Sequence, residues 1–255
     1  MMINNRLKRA LKEGKVVIGN FIASAAPEFV EIIGIAGFDF VVIDTEHGPL
    51  SLETTGNLIR AAELRGLTPI IRIRENSETM ILRALDIGAH GVQIPQIKTK
   101  SDADNAVQWA KYHPAGKRGV AMPRAIDFGA HDLLESYKIS NEETMIVVNC
   151  ESEEGYNNLD EILSVPEIDV VFLGPFDMSQ SLGLPLQFDH PKMIEVIDEF
   201  CKKTKNAGKI AGIHTATAEQ AKLRAKQGFQ YISIQMFETL VAKACKDVVD
   251  EFNRQ

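Results

Sequence analysis

Two carboxylates and an imidazole stand where a buried strand ought to end. In VVIDTEHGP, residues 41–49, three apolar β-formers run into Asp44, Glu46 and His47 before a Gly-Pro break. An imidazole takes a proton near neutral pH and a carboxylate orients it, so His47 is a candidate general base. The plain alternative is a hydrogen-bonded loop histidine. Arg72 follows the apolar run TPII. Its planar guanidinium suits a carboxylate or a developing enolate oxygen, or else a structural salt bridge to Asp44 or Glu46. Further along, MIVVNC is followed by Glu151 and VVFLGPF by Asp177. Neighbouring strands lie about 4.8 Å apart, and two carboxylates that close repel unless a proton or a cation separates them. Their hard oxygens suit Mg²⁺ or Mn²⁺, with water and substrate completing an octahedron. Alternatively, each pairs with a basic side chain or caps the next helix. His214 and Gln235 end two later strands. A metal, a base and an arginine together point to enolate chemistry on an α-keto acid.

Such residues need a scaffold that gathers strand ends. Short apolar, β-branched runs predict eight strands near 16–22, 40–44, 69–74, 91–94, 145–150, 169–173, 210–213 and 231–235. Helical periodicity fills the gaps at 26–36, 51–65, 77–87, 101–111, 154–164, 191–207, 217–227 and 237–252, after a short amphipathic helix at 3–13. Gly37, Gly66, Gly88, Gly208 and Gly228 follow helices as C′ glycines do, and Ser51, Ser77, Ser101 and Thr217 precede them as caps. Eight βα units in 255 residues predict a (β/α)₈ TIM barrel, one domain over 1–255, with active-site residues at the C-terminal strand ends. An open doubly wound sheet would want a glycine-rich phosphate turn after the first strand, which GNFIASAAPE lacks. The one long excursion, 113–140, predicts a functional or interface-forming loop.

Composition excludes several classes. Hydrophobic residues make up 45% and charged residues 25%, as in soluble globular proteins, and the net charge of −7 argues against nucleic-acid or membrane-surface partners. No apolar run reaches transmembrane length, and the basic N-terminus lacks the apolar region of a signal peptide. Cys150, Cys201 and Cys245 have no metal or redox spacing, which fits reduced thiols in the cytoplasm. No lysine lies inside a predicted strand, so a Schiff base is disfavoured, Lys98 being the nearest candidate. No phosphate cradle surrounds strands seven and eight.

The motifs DTEHGP, GAHGVQIPQI, KRGVA, VNCESEEGYNNLDEIL and VPEIDVVFLGPFDMSQSLG, in this order, resemble the HpcH/HpaI family of metal-dependent pyruvate aldolases over residues 5–250. The resemblance implies a (β/α)₈ barrel, usually a homohexamer, with one divalent cation per subunit (Mg²⁺, Mn²⁺ or Co²⁺) and no organic cofactor. It implies Glu151 and Asp177 as metal ligands, His47 as base and Arg72 as the stabiliser of the transition state. It also implies that Asp86 raises the basicity of His47, with Asp44 and Glu46 setting the orientation of His47 and the surrounding water. The reaction implied is reversible cleavage of a 4-hydroxy-2-oxo acid to pyruvate and an aldehyde through a metal-bound pyruvate enolate. This chain departs from the better-known members. Asn149 replaces a frequent glutamine, Phe176 a small residue, Ile73 a proline and His214 an apolar residue. Asn149, Phe176 and His214 are therefore candidate substrate-binding residues, with Phe176 narrowing the pocket and His214 reading a polar or anionic aldehyde. A relative that gives the same enolate another acceptor, and a non-catalytic barrel, are the competing readings. Asp86 falls near the end of its helix, far from His47 in its own barrel, which predicts that it reaches a neighbouring subunit or merely satisfies local backbone donors.

Overall fold

A computed structural model describes residues 4–254. Eight parallel strands close in chain order, each hydrogen-bonded to the next and β8 to β1. They are β1 Val17–Ile22, β2 Phe40–Asp44, β3 Thr68–Arg72, β4 Gly91–Ile94, β5 Met145–Cys150, β6 Val170–Leu173, β7 Ile210–Thr215 and β8 Tyr231–Met236. The helices are α1 Arg6–Lys12, α2 Pro27–Ile35, α3 Leu52–Leu64, α4 Glu78–Asp86, α5 Lys100–Ala110, α6 Leu133–Glu143, α7 Glu153–Asn157, α8 Leu159–Leu163, α9 Pro175–Ser181, α10 Pro191–Asn206, α11 Ala218–Gln227 and α12 Phe237–Phe252. The (β/α)₈ expectation holds, and α1 precedes the barrel. Residue 3, the expected start of that first helix, lies outside the described residues.

Alternation along each strand makes two cores. Outward residues such as Val41, Ile43, Ile71, Val92 and Val148 meet the surrounding helices. Inward residues Val42, Ile70, Val147, Val170, Phe172 and Tyr231 fill the barrel, and Leu7 and Leu11 of α1 join that cluster. Large and small side chains interlock there. Phe40 stacks on Tyr231 at 4.2 Å, and a Cβ at Gly19 would lie 2.2 Å from the Phe40 ring, so only glycine leaves room.

The local signals mostly act as expected. Ser51, Ser77 and Thr217 accept the N–H of Thr54, Met80 and Gln220, and the five C′ glycines all have positive φ. Ser101 is not a cap: Thr99, two residues earlier, forms a capping box with Asp102. The helix expected at 154–164 breaks at Asn158 into α7 and α8. The excursion holds a short 3₁₀ segment, Arg124–Gly129, and a full helix, α6, started by the Asp132 side chain. A further helix, α9, begins at Pro175, whose fixed φ suits a first helical position. β3 stops at Arg72, where its carbonyl accepts from Thr45, and Arg74 lies beyond it. β7 runs on to Thr215, so His214 is inside the strand.

Helix α12 differs from the rest. Only Phe237 is buried, and Val248, Val249 and Phe252 face solvent. Among the described residues no helix is long and apolar enough to cross a membrane.

Candidate active site

At the C-terminal strand ends the inward positions turn polar. They line a cavity of about 400 Å³ bounded by His47, Arg72, Asn149, Glu151, Asp177 and His214, with Phe21, Phe172, Phe176 and Met236 as its apolar wall. The cavity lies where barrel active sites lie.

Its floor is a set of tied charges. Asp44 is fully buried. Its carboxylate accepts from Arg72 Nε at 2.9 Å and Nη2 at 2.6 Å, a two-pronged pair built because the two residues are in register across β2 and β3. Arg72 Nη1 approaches Glu46 Oε2 at 3.3 Å. The salt-bridge alternative for Arg72 is thus realised, yet the guanidinium still lines the cavity. Asp44 also accepts the backbone N–H of Glu46 at 3.0 Å and of His47 at 3.3 Å. It shapes the loop that carries the imidazole, and no bond from Asp44 to the ring itself is formed. Glu46 comes closest to the ring, at 3.9 Å from Nε2, and the His47 side chain is 68% exposed. Burial raises the pKa of Glu46, against the pull of Arg72 and His47.

Glu151 is 4% exposed. Its Oε1 accepts the backbone N–H of Gln96 at 2.7 Å, and its Oε2 accepts Asn149 Nδ2 at 3.1 Å. Gln96 has φ +55°, a left-handed conformation unusual for a side chain of its size, and this conformation aims its N–H at the carboxylate. Burial pushes the Glu151 carboxyl up to about 7, and the charges of Asp177 and Glu46 add to the push. Asp177, on the first turn of α9, stands at the exposed rim.

A divalent cation suits this set. Glu151 and Asp177 line the cavity, and Arg72, the one arginine or lysine among its lining residues, is already paired with Asp44 and Glu46. Gly174 leaves room beside the carboxylate, since a Cβ there would lie 3.0 Å from Glu151 Oε2. Among the described residues no group of three or more His, Cys, Asp or Glu side chains forms a metal cluster. Two carboxylates with open positions are instead what a hydrated hard cation accepts.

The remaining sequence candidates fall in three places. Phe176 lines the cavity and packs against Phe188 at 5.1 Å and His214 at 5.8 Å. His214 bonds Ser233 Oγ through Nδ1 at 2.9 Å. Burial, with the nearby Arg72 charge, holds its pKa down to about 4. The uncharged ring still lines the cavity. Asn149 is 1% exposed, borders the cavity, and bonds Gln93 and Glu151 through its two amide atoms. Asp86 is not at the site. Its Oδ1 accepts Arg118 Nη2 at 2.7 Å, in a groove it shares with Leu52, Arg60 and Phe128 outside the barrel. Within one chain Asp86 is held by the buried Arg118 and does not line the cavity, as its place near the end of α4 predicts. Sequence reasoning missed Gln93 and Gln96. A glutamine inside the four-residue buried strand GVQI, in register with Arg72, was the available signal for Gln93. Nothing in the sequence marked Gln96, whose role rests on its φ.

Comparison with known proteins agrees with this geometry. The family model described as HpcH/HpaI aldolase/citrate lyase matches residues 17–241. A 2-keto-3-deoxy-L-rhamnonate aldolase of Escherichia coli (strain K12) is 33% identical over 236 residues, covering 91% of this chain and 87% of that protein. The structure of an HpcH/HpaI aldolase from Desulfitobacterium hafniense DCB-2 superposes with TM-score 0.92 at 29% identity, over 100% of this chain and 98% of that one. The citrate synthase SbnG superposes with TM-score 0.88 at 29% identity, over 96% of each chain. The chain belongs to the HpcH/HpaI aldolase/citrate lyase family and is an enzyme of the carbon–carbon lyase class.

Proposed function

We propose that this barrel, as one catalytic unit, catalyses the reversible aldol cleavage of a 4-hydroxy-2-oxo acid to pyruvate and an aldehyde, assisted by one divalent cation, Mg²⁺, Mn²⁺ or Co²⁺. The observation that carries the reading is one cavity lined by a mobile-proton group, a guanidinium and two carboxylates of different exposure. Glu151 and Asp177 hold the cation, which supplies Lewis acidity and a template for the oxygens of the 2-oxo acid. His47 takes the proton of the C4 hydroxyl. The C3–C4 bond breaks, the aldehyde leaves, and the electron pair becomes the enolate of pyruvate. Arg72 offers its charge and its Nη1 edge to the developing oxyanion, while Asp44 keeps the guanidinium from rotating. His47 then returns the proton to C3. Phe176 and His214 shape the aldehyde end. SbnG, a similar barrel named as a citrate synthase, makes a different carbon–carbon bond and so favours the second reading, a related reaction with another acceptor.

The enzyme works as a homo-oligomer, a hexamer. Support comes from the uncovered apolar residues of α12 and from Val120, Met122, Phe128 and Leu134 of the excursion, all exposed. Phe128 also has φ +55°, a strained conformation for an exposed aromatic residue. Asp86 borders Phe128 and would reach the His47 of a neighbouring subunit in that assembly. Three free cysteines favour a reducing, cytoplasmic setting.

The test is pyruvate release from a panel of 4-hydroxy-2-oxo acids, followed by coupled NADH oxidation. Release that EDTA stops and Mg²⁺, Mn²⁺ or Co²⁺ restores is expected. Cation-independent release, or no release from any panel member, contradicts the proposal.

A further inference from the structure

A line of hydrogen bonds runs from the centre of the barrel to Glu151. Tyr231 Oη donates to Gln93 Oε1 at 3.4 Å, Gln93 Nε2 to Asn149 Oδ1 at 2.9 Å, and Asn149 Nδ2 to Glu151 Oε2 at 3.1 Å. Its direction is set by the amides: Asn149 turns its NH₂ toward Glu151 and its carbonyl toward Gln93. Gln93 must then turn its NH₂ toward Asn149, which leaves Oε1 for the Tyr231 hydroxyl. Flipping either amide would set like atoms face to face.

The barrel has no packing need for a glutamine here. Gln93 and Tyr231 are fully buried, and the inward positions around them hold Val42, Ile70, Val147 and Val170. Burying an amide where a valine or leucine would fit costs stability unless each polar atom is bonded. Both ends of Gln93 are bonded, and the bond at its amide nitrogen leads to the cavity carboxylate.

We propose that Gln93 is a positioning residue: steadied by Tyr231, it fixes the Asn149 amide so that Glu151 Oε2 is aimed before a divalent cation arrives. The proposal rests on the cation-dependent reading given above. Asn149 bonds Glu151 through Nδ2, and Gln93 anchors the Oδ1 on its other side.

The test is Mn²⁺ affinity without substrate, measured by electron paramagnetic resonance at fixed pH. Gln93→Leu and Gln93→Met should each weaken binding about tenfold, the scale of an outer partner of a metal ligand. Asn149→Ala should weaken it at least as much. The double variant Gln93→Leu/Asn149→Ala should bind like Asn149→Ala alone, because Gln93 acts through Asn149. Tyr231→Phe should change affinity least, since its bond is the longest. A merely structural Gln93 would lower the metal-free melting temperature and leave affinity alone. If both single variants bind within about twofold of wild type, or the two losses multiply in the double variant, the proposal is overturned. Using two substitutions keeps the test open if one fails to fold. Wild-type protein that binds no Mn²⁺ would overturn the parent reading as well, whereas normal wild-type binding with unaffected variants overturns the relay alone.

Discussion

At the N-terminal end of the barrel, Lys111 is fully buried and gives its ammonium protons to the carbonyls of Asn141 at 2.5 Å and Thr144 at 2.9 Å. Lys8 reaches Asp169 at 3.0 Å. Glu63 bonds His90 at 3.2 Å and pairs with Arg124. Burial alone would raise the Glu63 carboxyl, but these two partners bring it down to about 2. At the C-terminal end, burial and like charges instead drive Glu151 up to about 7. Buried charge is therefore no mark of function by itself. At one end each charge has a partner in the fold, and the result is stability. At the other the carboxylates outnumber the cations, and the surplus is a demand for something the chain does not supply.

The largest effect should come from removing that surplus. Glu151→Ala or Asp177→Ala should lower turnover at limiting cation by more than about 100-fold while leaving the metal-free melting temperature unchanged or higher. Turnover equal to wild type at limiting Mn²⁺ would break the distinction between the two ends. Arg72→Lys comes next. It keeps the charge and loses the fork on Asp44, so kcat/KM should fall by about 100-fold, or about 2.7 kcal/mol. A loss under about threefold, about 0.6 kcal/mol, would make Arg72 a structural residue.

Lys111→Met probes the opposite end. It takes the side-chain donor from the Asn141 carbonyl and leaves Thr144 with Lys8 alone, so chemical denaturation should show about 1–3 kcal/mol of lost stability with kcat and KM unaltered. A change in kcat without a change in stability would blur the contrast. The effect confined to the narrowest range of conditions belongs to His214. Its folded pKa, about 4, lies below its ordinary value near 6.5. Between those values the unfolded chain holds the extra proton, so stability is full above about 6.5 and declines as the pH falls toward 4. His214→Leu should flatten that window by an amount on the order of 1–3 kcal/mol, read as the wild-type minus variant difference in unfolding free energy. Parallel pH profiles would rule it out.

How much of this was legible in the sequence depended on the range of the interaction involved. Apolar runs ending in polar residues located all eight strands, because alternation and burial are local properties. The cavity residues Arg72, Glu151, Asp177 and His47 were legible for the same reason: each stands at or just beyond a strand end. What those side chains touch was not legible. Asn149 was legible as a cavity residue, but its bonds to Gln93 and Glu151 were not, because they depend on register between β4 and β5. His214 was legible as a cavity residue, but not the burial that lowers its pKa. The pairing of Asp86 with Arg118 joins α4 to a loop 32 residues on, which no periodicity reports. Helix α6 was hidden in a stretch read as loop, where the cap at Asp132 was the unread signal.

The most direct measurement is exchange of the methyl protons of pyruvate for deuterium, followed by proton NMR on the intact enzyme in D₂O. It isolates enolate formation from the choice of aldehyde. The account predicts exchange that requires a divalent cation, stops with EDTA, and disappears in Glu151→Ala and His47→Ala. Exchange that persists in EDTA, or that survives loss of Glu151, would contradict it.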